Sequence, residues 1–117
     1  MSRKITVFII TLILGSGIML NAQQAGGYTG PGLRAVTVDE ARTFRDDTPV
    51  VLQGYIIRNL GNERYLFSDD TGTIIIEIDD RLWRNININE NDLVEIRGEV
   101  DRGFARIEIE ADSIRKL

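Results

Sequence analysis

The chain has 117 residues, with 14 Lys and Arg against 18 Asp and Glu, neither His nor Cys, and a formal net charge of −4. Without Cys there is no disulfide, thiolate chemistry or Cys-ligated zinc, and without His the commonest general base and metal ligand is gone. An acidic chain also lacks the basic footprint that a phosphate backbone requires, which argues against nucleic acid as a partner.

The first element in chain order is an export signal. Arg3 and Lys4 precede the apolar run Ile5 to Leu20, and Asn21-Ala22 follow. A charged segment, an apolar segment and a small residue at the cut is the order of a secretory signal peptide, residues 1–22, cleaved after Ala22. Gly15-Ser16-Gly17 interrupts the apolar run, which falls short of the roughly 20 residues of a membrane span, and no Cys follows it to carry a lipid. The mature chain is therefore expected to be exported and free of the membrane. Taking 22 from 117 leaves 95 residues, enough for one domain with a modest core. Two of the 14 basic side chains leave with the signal, so 12 stand against 18 acidic ones and the net charge becomes −6.

Residues 23–36 open with QQAGGYTGPGLRA, rich in Gly and without periodicity, and read as a flexible leader in which Tyr28 is a mobile aromatic. The folded domain is expected over residues 37–117. It begins with Thr37-Val38-Asp39-Glu40, a capping box in which the Thr37 hydroxyl and the Glu40 carboxylate each accept from the other's backbone N–H. Val38, Ala41 and Phe44 follow at spacing three, so a short helix with one apolar stripe ends near Arg45 and plugs one end of the core.

Five strands follow from period-two alternation. In the first, Val50 to Asn59, the residues Val50, Leu52, Gly54 and Ile56 share one face, and Val51, Gln53, Tyr55 and Ile57 the other. Gly54 in mid-strand predicts a bulge, or the coil where a barrel strand bends across both sheets. After a turn at Asn59 to Asn62, the second strand, Glu63 to Ser68, sets Tyr65 and Phe67 against Arg64, Leu66 and Ser68. Asp69-Asp70-Thr71-Gly72 closes a hairpin. The third strand turns Ile74, Ile76 and Ile78 inward and Thr73, Ile75 and Glu77 outward. Asp79 to Arg84 breaks the alternation and predicts one helical turn, and Asn85 to Asn91 (NININEN) is a loop with Ile86 and Ile88 touching the core. The fourth strand, Asp92 to Val100, opposes Val94, Ile96 and Val100 to Glu95, Arg97 and Glu99. Asp101-Arg102-Gly103 turns into the fifth, where Ala105, Ile107, Ile109 and Ala111 oppose Arg106, Glu108 and Glu110. The fold class is all-β: a five-stranded barrel with a short N-terminal α-helix. Such barrels bind on an exposed sheet face more often than they catalyse.

The leader GGYTGPG, the join RDDTPVVLQG (Arg45 to Gly54), the hairpin YLFSDDTGTIIIEID (Tyr65 to Asp79), Arg81 with Trp83, and the ending VEIRGEVD, IEI and SIRK resemble the bacterial OB-fold stress-tolerance family of the YgiW/YdeI type. The resemblance covers the mature chain in order. It implies a periplasmic OB-fold barrel tied to tolerance of peroxide, metal, acid or antimicrobial-peptide stress, and it carries over no catalytic residue set.

The residues themselves speak against catalysis. Asp46-Asp47, Asp69-Asp70 and Asp79-Asp80 lack the converging oxygens and loop spacing of a calcium site, and turn chemistry explains them, so no metal and no cofactor is expected. Glu77 is the one acid on the face of Tyr55 and Leu66, and neither Ser68 nor Ser113 stands in a nucleophile elbow. The expected ligand-binding face is the outward side of the first three strands, with Gln53, Tyr55, Ile57, Arg64, Leu66, Ile75 and Glu77, flanked by Ser68 and Thr73. Arg58 and Arg64 flank the hairpin and offer an anion site, while Trp83 reads as a plug at the barrel end. A monomer that binds a small glycan or cell-wall fragment, a peptide or a cationic stressor is the reading this face suggests. The alternative is an adaptor that docks an envelope protein through an exposed Ile57, Leu66 and Ile75 patch. A third option is an acidic buffer for cationic stressors, with weak and salt-sensitive binding.

Overall fold

The computed structural model describes residues 32–117, so the signal peptide, Tyr28 and most of the leader lie outside the described residues. The elements in order are β1 (Ala35–Val36), α1 (Val38–Ala41), β2 (Pro49–Gly61), β3 (Arg64–Asp69), β4 (Gly72–Glu77), a 3₁₀ turn (Asp80–Trp83), β5 (Val94–Arg102) and β6 (Ile107–Lys116). The five long strands hydrogen-bond in the order β2-β3-β4-β6-β5, and β5 pairs back onto β2, which closes the barrel. Only β4–β6 is parallel among these. The expected five-stranded barrel is what forms. The two-residue β1, expected to be leader, adds in parallel beside Val51 and Leu52.

Closure rests on β2. Residues Pro49 to Gly54 pair with β5, and Tyr55 to Gly61 pair with β3, so the strand changes partner at the Gly54–Tyr55 step. Gly54 is therefore the coil the sequence predicts, and the bulge lies further on, where Ile57 has no partner between Ile56 and Arg58. The glycine is required by close approach: an added Cβ would meet the Ser68 carbonyl and lie 2.8 Å from the Phe67 ring. Phe67 is itself wholly buried, beside Leu52, Ile74, Ile76, Ile96 and Ile109.

The capping box forms as expected. Glu40 N–H donates to Thr37 Oγ1 at 3.1 Å, and Thr37 N–H donates to Glu40 Oε1 at 2.8 Å. The helix is one turn only, ending at Ala41 where Phe44 was expected to extend it. Its position is fixed from outside: Asp69 Oδ2 accepts from Val38 N–H at 2.8 Å, and the Arg102 guanidinium donates to the carbonyls of Arg42 and Phe44. These contacts satisfy end groups that so short a helix cannot satisfy itself. Val38 and Ala41 enter the core, which is the plug role expected of the helix.

Local shifts separate the strands from their expected bounds: β5 runs Val94–Arg102 where Asp92 to Val100 is expected, and Ala105, expected inward on the fifth strand, is exposed in the loop before β6. The β2–β3 turn falls at Gly61, Asn62 and Glu63, all at positive φ, because the Asn59 carboxamide accepts from Gly61 N–H and carries β2 past its expected end. In β6, Asp112 is an extra residue between the pairs Gly98–Ala111 and Arg97–Ser113. The inward phase therefore skips from Ala111 to Ile114, and the strand continues to Lys116, five residues beyond the alternation that marked it.

Gly54→Ala is expected to destabilise the barrel by about 2 kcal/mol or more, since neither the Ser68 backbone nor the packed Phe67 ring has room to yield. Urea unfolding of the variant should show a lower midpoint at unchanged slope. An unchanged midpoint would mean that the partner exchange on β2 tolerates a side chain.

Candidate functional site

The rows of the outer face follow from strand register. Leu66, Ile75, Glu108 and Asp101 lie opposite one another across β3, β4, β6 and β5, with Arg58 of β2 beyond Leu66. In the adjacent row Arg64, Glu77, Glu110 and Glu99 stand opposite one another. Four of the seven expected residues, Arg64, Leu66, Ile75 and Glu77, thus meet on one patch. Tyr55 stands in the next row on the other side of Leu66 and Ile75, with Ser68 and Thr73, and is 40% exposed. Gln53 is set apart, its amide donating to Glu95 at 3.4 Å. Ile57, thrown out by the bulge, lines a different groove with Trp83.

The chemistry of the patch centres on Glu108, a residue the alternation assigns to the solvent side. It is 5% exposed. Arg64 Nε donates to its two oxygens at 3.2 and 3.3 Å, and Arg106 Nε lies 2.7 Å from Oε2. Two arginine stems laid over one carboxylate bury it while their own heads stay wet. The hydrogen bond to Glu108 raises the Arg64 guanidinium above its ordinary value, with smaller help from the charges of Glu108, Glu77 and Asp101. Both arginines reach Glu108 through Nε, which leaves Nη donors for another acceptor.

Beside this cluster is a groove of about 370 Å³ lined by Arg64, Asp101, Arg106, Glu108 and the β5–β6 loop, Gly103 to Ala105. Phe104, at the loop tip, is fully exposed. The groove therefore combines two cations, two anions and a free aromatic ring. Sequence reading missed Phe104 and Arg106. The signals present were an aromatic residue in a turn and the Arg106-x-Glu108 spacing that puts both side chains on one side of a strand.

A second buried carboxylate shows the contrasting case. Glu95, 6% exposed, accepts from Arg97 at 3.1 Å, Arg115 at 3.2 Å and Gln53. Burial pushes this carboxyl up, but the bonds from Arg115, Arg97 and Gln53 outweigh it and hold it below the usual glutamate value. It ties β2, β5 and β6 together. Among the described residues no group of three or more Asp or Glu is arranged to hold a metal ion.

Comparison with known proteins places this geometry. A family model described as "Bacterial OB fold (BOF) protein" matches residues 17–116. Protein YgiW of Escherichia coli K12 is 40% identical over 128 residues, covering 98% of both chains. The calcium-regulated OB-fold protein CarO of Pseudomonas aeruginosa is 39% identical over 110 residues, 92% of this chain and 95% of its own. The solved structure of the hypothetical protein ygiW from E. coli matches with a TM-score of 0.72 at 40% identity, covering 80% of this chain and 100% of that one.

Two glutamates should give opposite pH signatures. Burial and then the charges of Glu77, Asp101, Glu99 and Asp112 push the Glu110 carboxyl up, so it favours the fold in acid and loses that contribution as pH rises. Glu110→Gln should therefore raise stability slightly at neutral pH, a gain that fades as pH falls through the raised value and is gone below the ordinary glutamate value of 4.5. Glu95, held low, contributes above that range and loses the contribution as pH falls through its depressed value. Glu95→Gln should cost about 1 kcal/mol near neutrality and converge with the parent in acid. Thermal unfolding across pH 3 to 8 checks both, and parallel profiles would contradict the assigned charge environments.

Proposed function

The chain belongs to the bacterial OB fold (BOF) protein family, and on that premise we propose that it is an exported, non-catalytic binding protein of the periplasm. In this reading it contributes to envelope stress tolerance by holding a small glycan or cell-wall fragment beside the β5–β6 loop. The observation that carries the reading is the groove in which free Phe104 stands beside the Arg64–Glu108–Arg106 cluster. A sugar presents an apolar ring face and a rim of hydroxyls. The aromatic ring covers the first, and the remaining guanidinium donors and Asp101 bond the second.

Charge decides between ligand classes. Arg64 and Arg106 balance Asp101 and Glu108, so the groove favours neither a cationic stressor nor a polyanion. The adaptor reading draws less support, because Leu66 and Ile75 are half-buried and Ile57 is exposed at another groove. The acidic-buffer reading predicts no defined site at all. Export, which the N-terminal segment suggests, places the groove where cell-wall fragments occur.

The test is an amide NMR titration of the purified protein with peptidoglycan fragments, a cationic peptide and calcium, at low and moderate salt. Glycan-induced shifts confined to Arg64, Leu66 and residues 103–108, and persisting in salt, are the expected result. Phe104→Ala should weaken that binding about tenfold, the loss of roughly one aromatic contact. Its thermal midpoint should not move, since the ring touches nothing to stabilise. Diffuse shifts lost in salt would return the chain to the acidic-buffer reading, and silence with every ligand would favour the adaptor.

A further inference from the structure

A second groove lies elsewhere on the described barrel. It measures about 460 Å³ and lies between the bulged end of β2, Ile57 to Asn59, and the Asn-rich loop at Ile88 to Glu90, with Tyr65 and Trp83 in its wall. The two rings pack with centroids 5.2 Å apart and planes tilted by 56°. Neither Arg58 nor Glu90 takes part in an ion pair or a side-chain hydrogen bond among the described residues. Among the described residues, one unpaired cation and one unpaired anion thus border an aromatic-walled groove.

The other polar groups are partly committed. Asn59 Oδ1 accepts from Gly61 N–H and Asn89 Oδ1 accepts from Asn91 N–H, both at 2.8 Å, which leaves each carboxamide its NH₂ donors. Asn89 N–H also donates to Asp92 Oδ2, and Asp92 N–H to the Asn89 carbonyl, so the loop is held by its own bonds before any ligand arrives. Ile86 and Ile88 anchor it to the core. Trp83 Nε1–H is buried with no acceptor among the described residues. A buried donor without a partner is costly, and it marks this wall as imperfectly satisfied.

We propose that this groove is a second binding site, for a zwitterionic amino acid or dipeptide with an apolar side chain. Arg58 takes the carboxylate, Glu90 takes the ammonium, the carboxamides of Asn59 and Asn89 donate to a carbonyl, and Ile57 and Ile88 with the aromatic pair receive the side chain. The volume is in the range of small-molecule sites. The NININEN segment is, in this assignment, the loop that carries Glu90 and Asn89 into place. The site is independent of the groove beside Phe104.

Trp83 is the single tryptophan of the chain, so its fluorescence reports on the wall of this groove. The purified protein is titrated with leucine, leucyl-leucine, N-acetyl-leucine and leucinamide. A saturable emission change with leucine or leucyl-leucine is expected, and whichever of the two binds tighter sets the ligand size. Blocking either charge should weaken binding about tenfold, the weight of one charge-assisted hydrogen bond. Glu90→Gln should then abolish the penalty on N-acetyl-leucine but keep that on leucinamide, and Arg58→Gln should do the reverse. Phe104→Ala should leave all four curves unchanged. No saturable change with either zwitterion, equal binding of the blocked forms, or penalties indifferent to both substitutions would each overturn the assignment.

Discussion

The exchange of partners along β2 is the constraint on which the rest of this molecule depends. One strand of 13 residues must pair with β5 over its first half and with β3 over its second. That coil brings the Ser68 carbonyl and the Phe67 ring onto Gly54, where only hydrogen fits. Closing the barrel there turns Leu52, Phe67, Ile76, Ile96 and Ile109 into one interior and removes the free sheet edges that would otherwise invite further pairing. The bulge at Ile57 adds to that bend, since an extra residue kinks the strand after the crossover.

Closure also settles where charge can be buried. Glu95 and Glu108 both point away from the core, and each is covered by one arginine two residues away in sequence, Arg97 or Arg106, and one from another strand, Arg115 or Arg64. The difference lies in what remains unspent. Glu95 collects three side-chain donors at a seam between β2, β5 and β6, and behaves as a structural tie. Glu108 is held by two arginines beside an open groove and an unpacked phenyl ring. Similar carboxylates on one barrel therefore play different parts because of the space next to them.

Much of this could be read from the chain, and the failures have physical causes. Alternation identified the inward Ile74, Ile76 and Ile78, and the capping box at Thr37 and Glu40 was found from four letters. Arg64, Leu66, Ile75 and Glu77 were grouped because strand parity puts them on one side. Parity says nothing of cover, however. Glu108 looked solvated because the Arg64 that covers it is 44 positions away, brought near only by the parallel pairing of β4 with β6. Asp112 hid the end of β6 by breaking the phase. Ala35 and Val36 looked like leader because a two-residue strand has no period to detect.

The two grooves share a strand without sharing a wall. Arg64 and Tyr65 are neighbours on β3, and the pleat sends the first to the outer face and the second toward the interior beside Trp83. The Arg64 groove is bounded by a hairpin loop with a free aromatic tip, the Tyr65 groove by a loop fastened to itself and to the core. A ligand at the first therefore meets a ring that has to be ordered on binding, whereas a ligand at the second meets a wall already set. Preorganisation favours tight recognition of a small, chemically defined molecule, and a loose aromatic tip favours tolerance of variation along a larger one. That contrast fits a glycan fragment beside Phe104 and a single zwitterion beside Trp83.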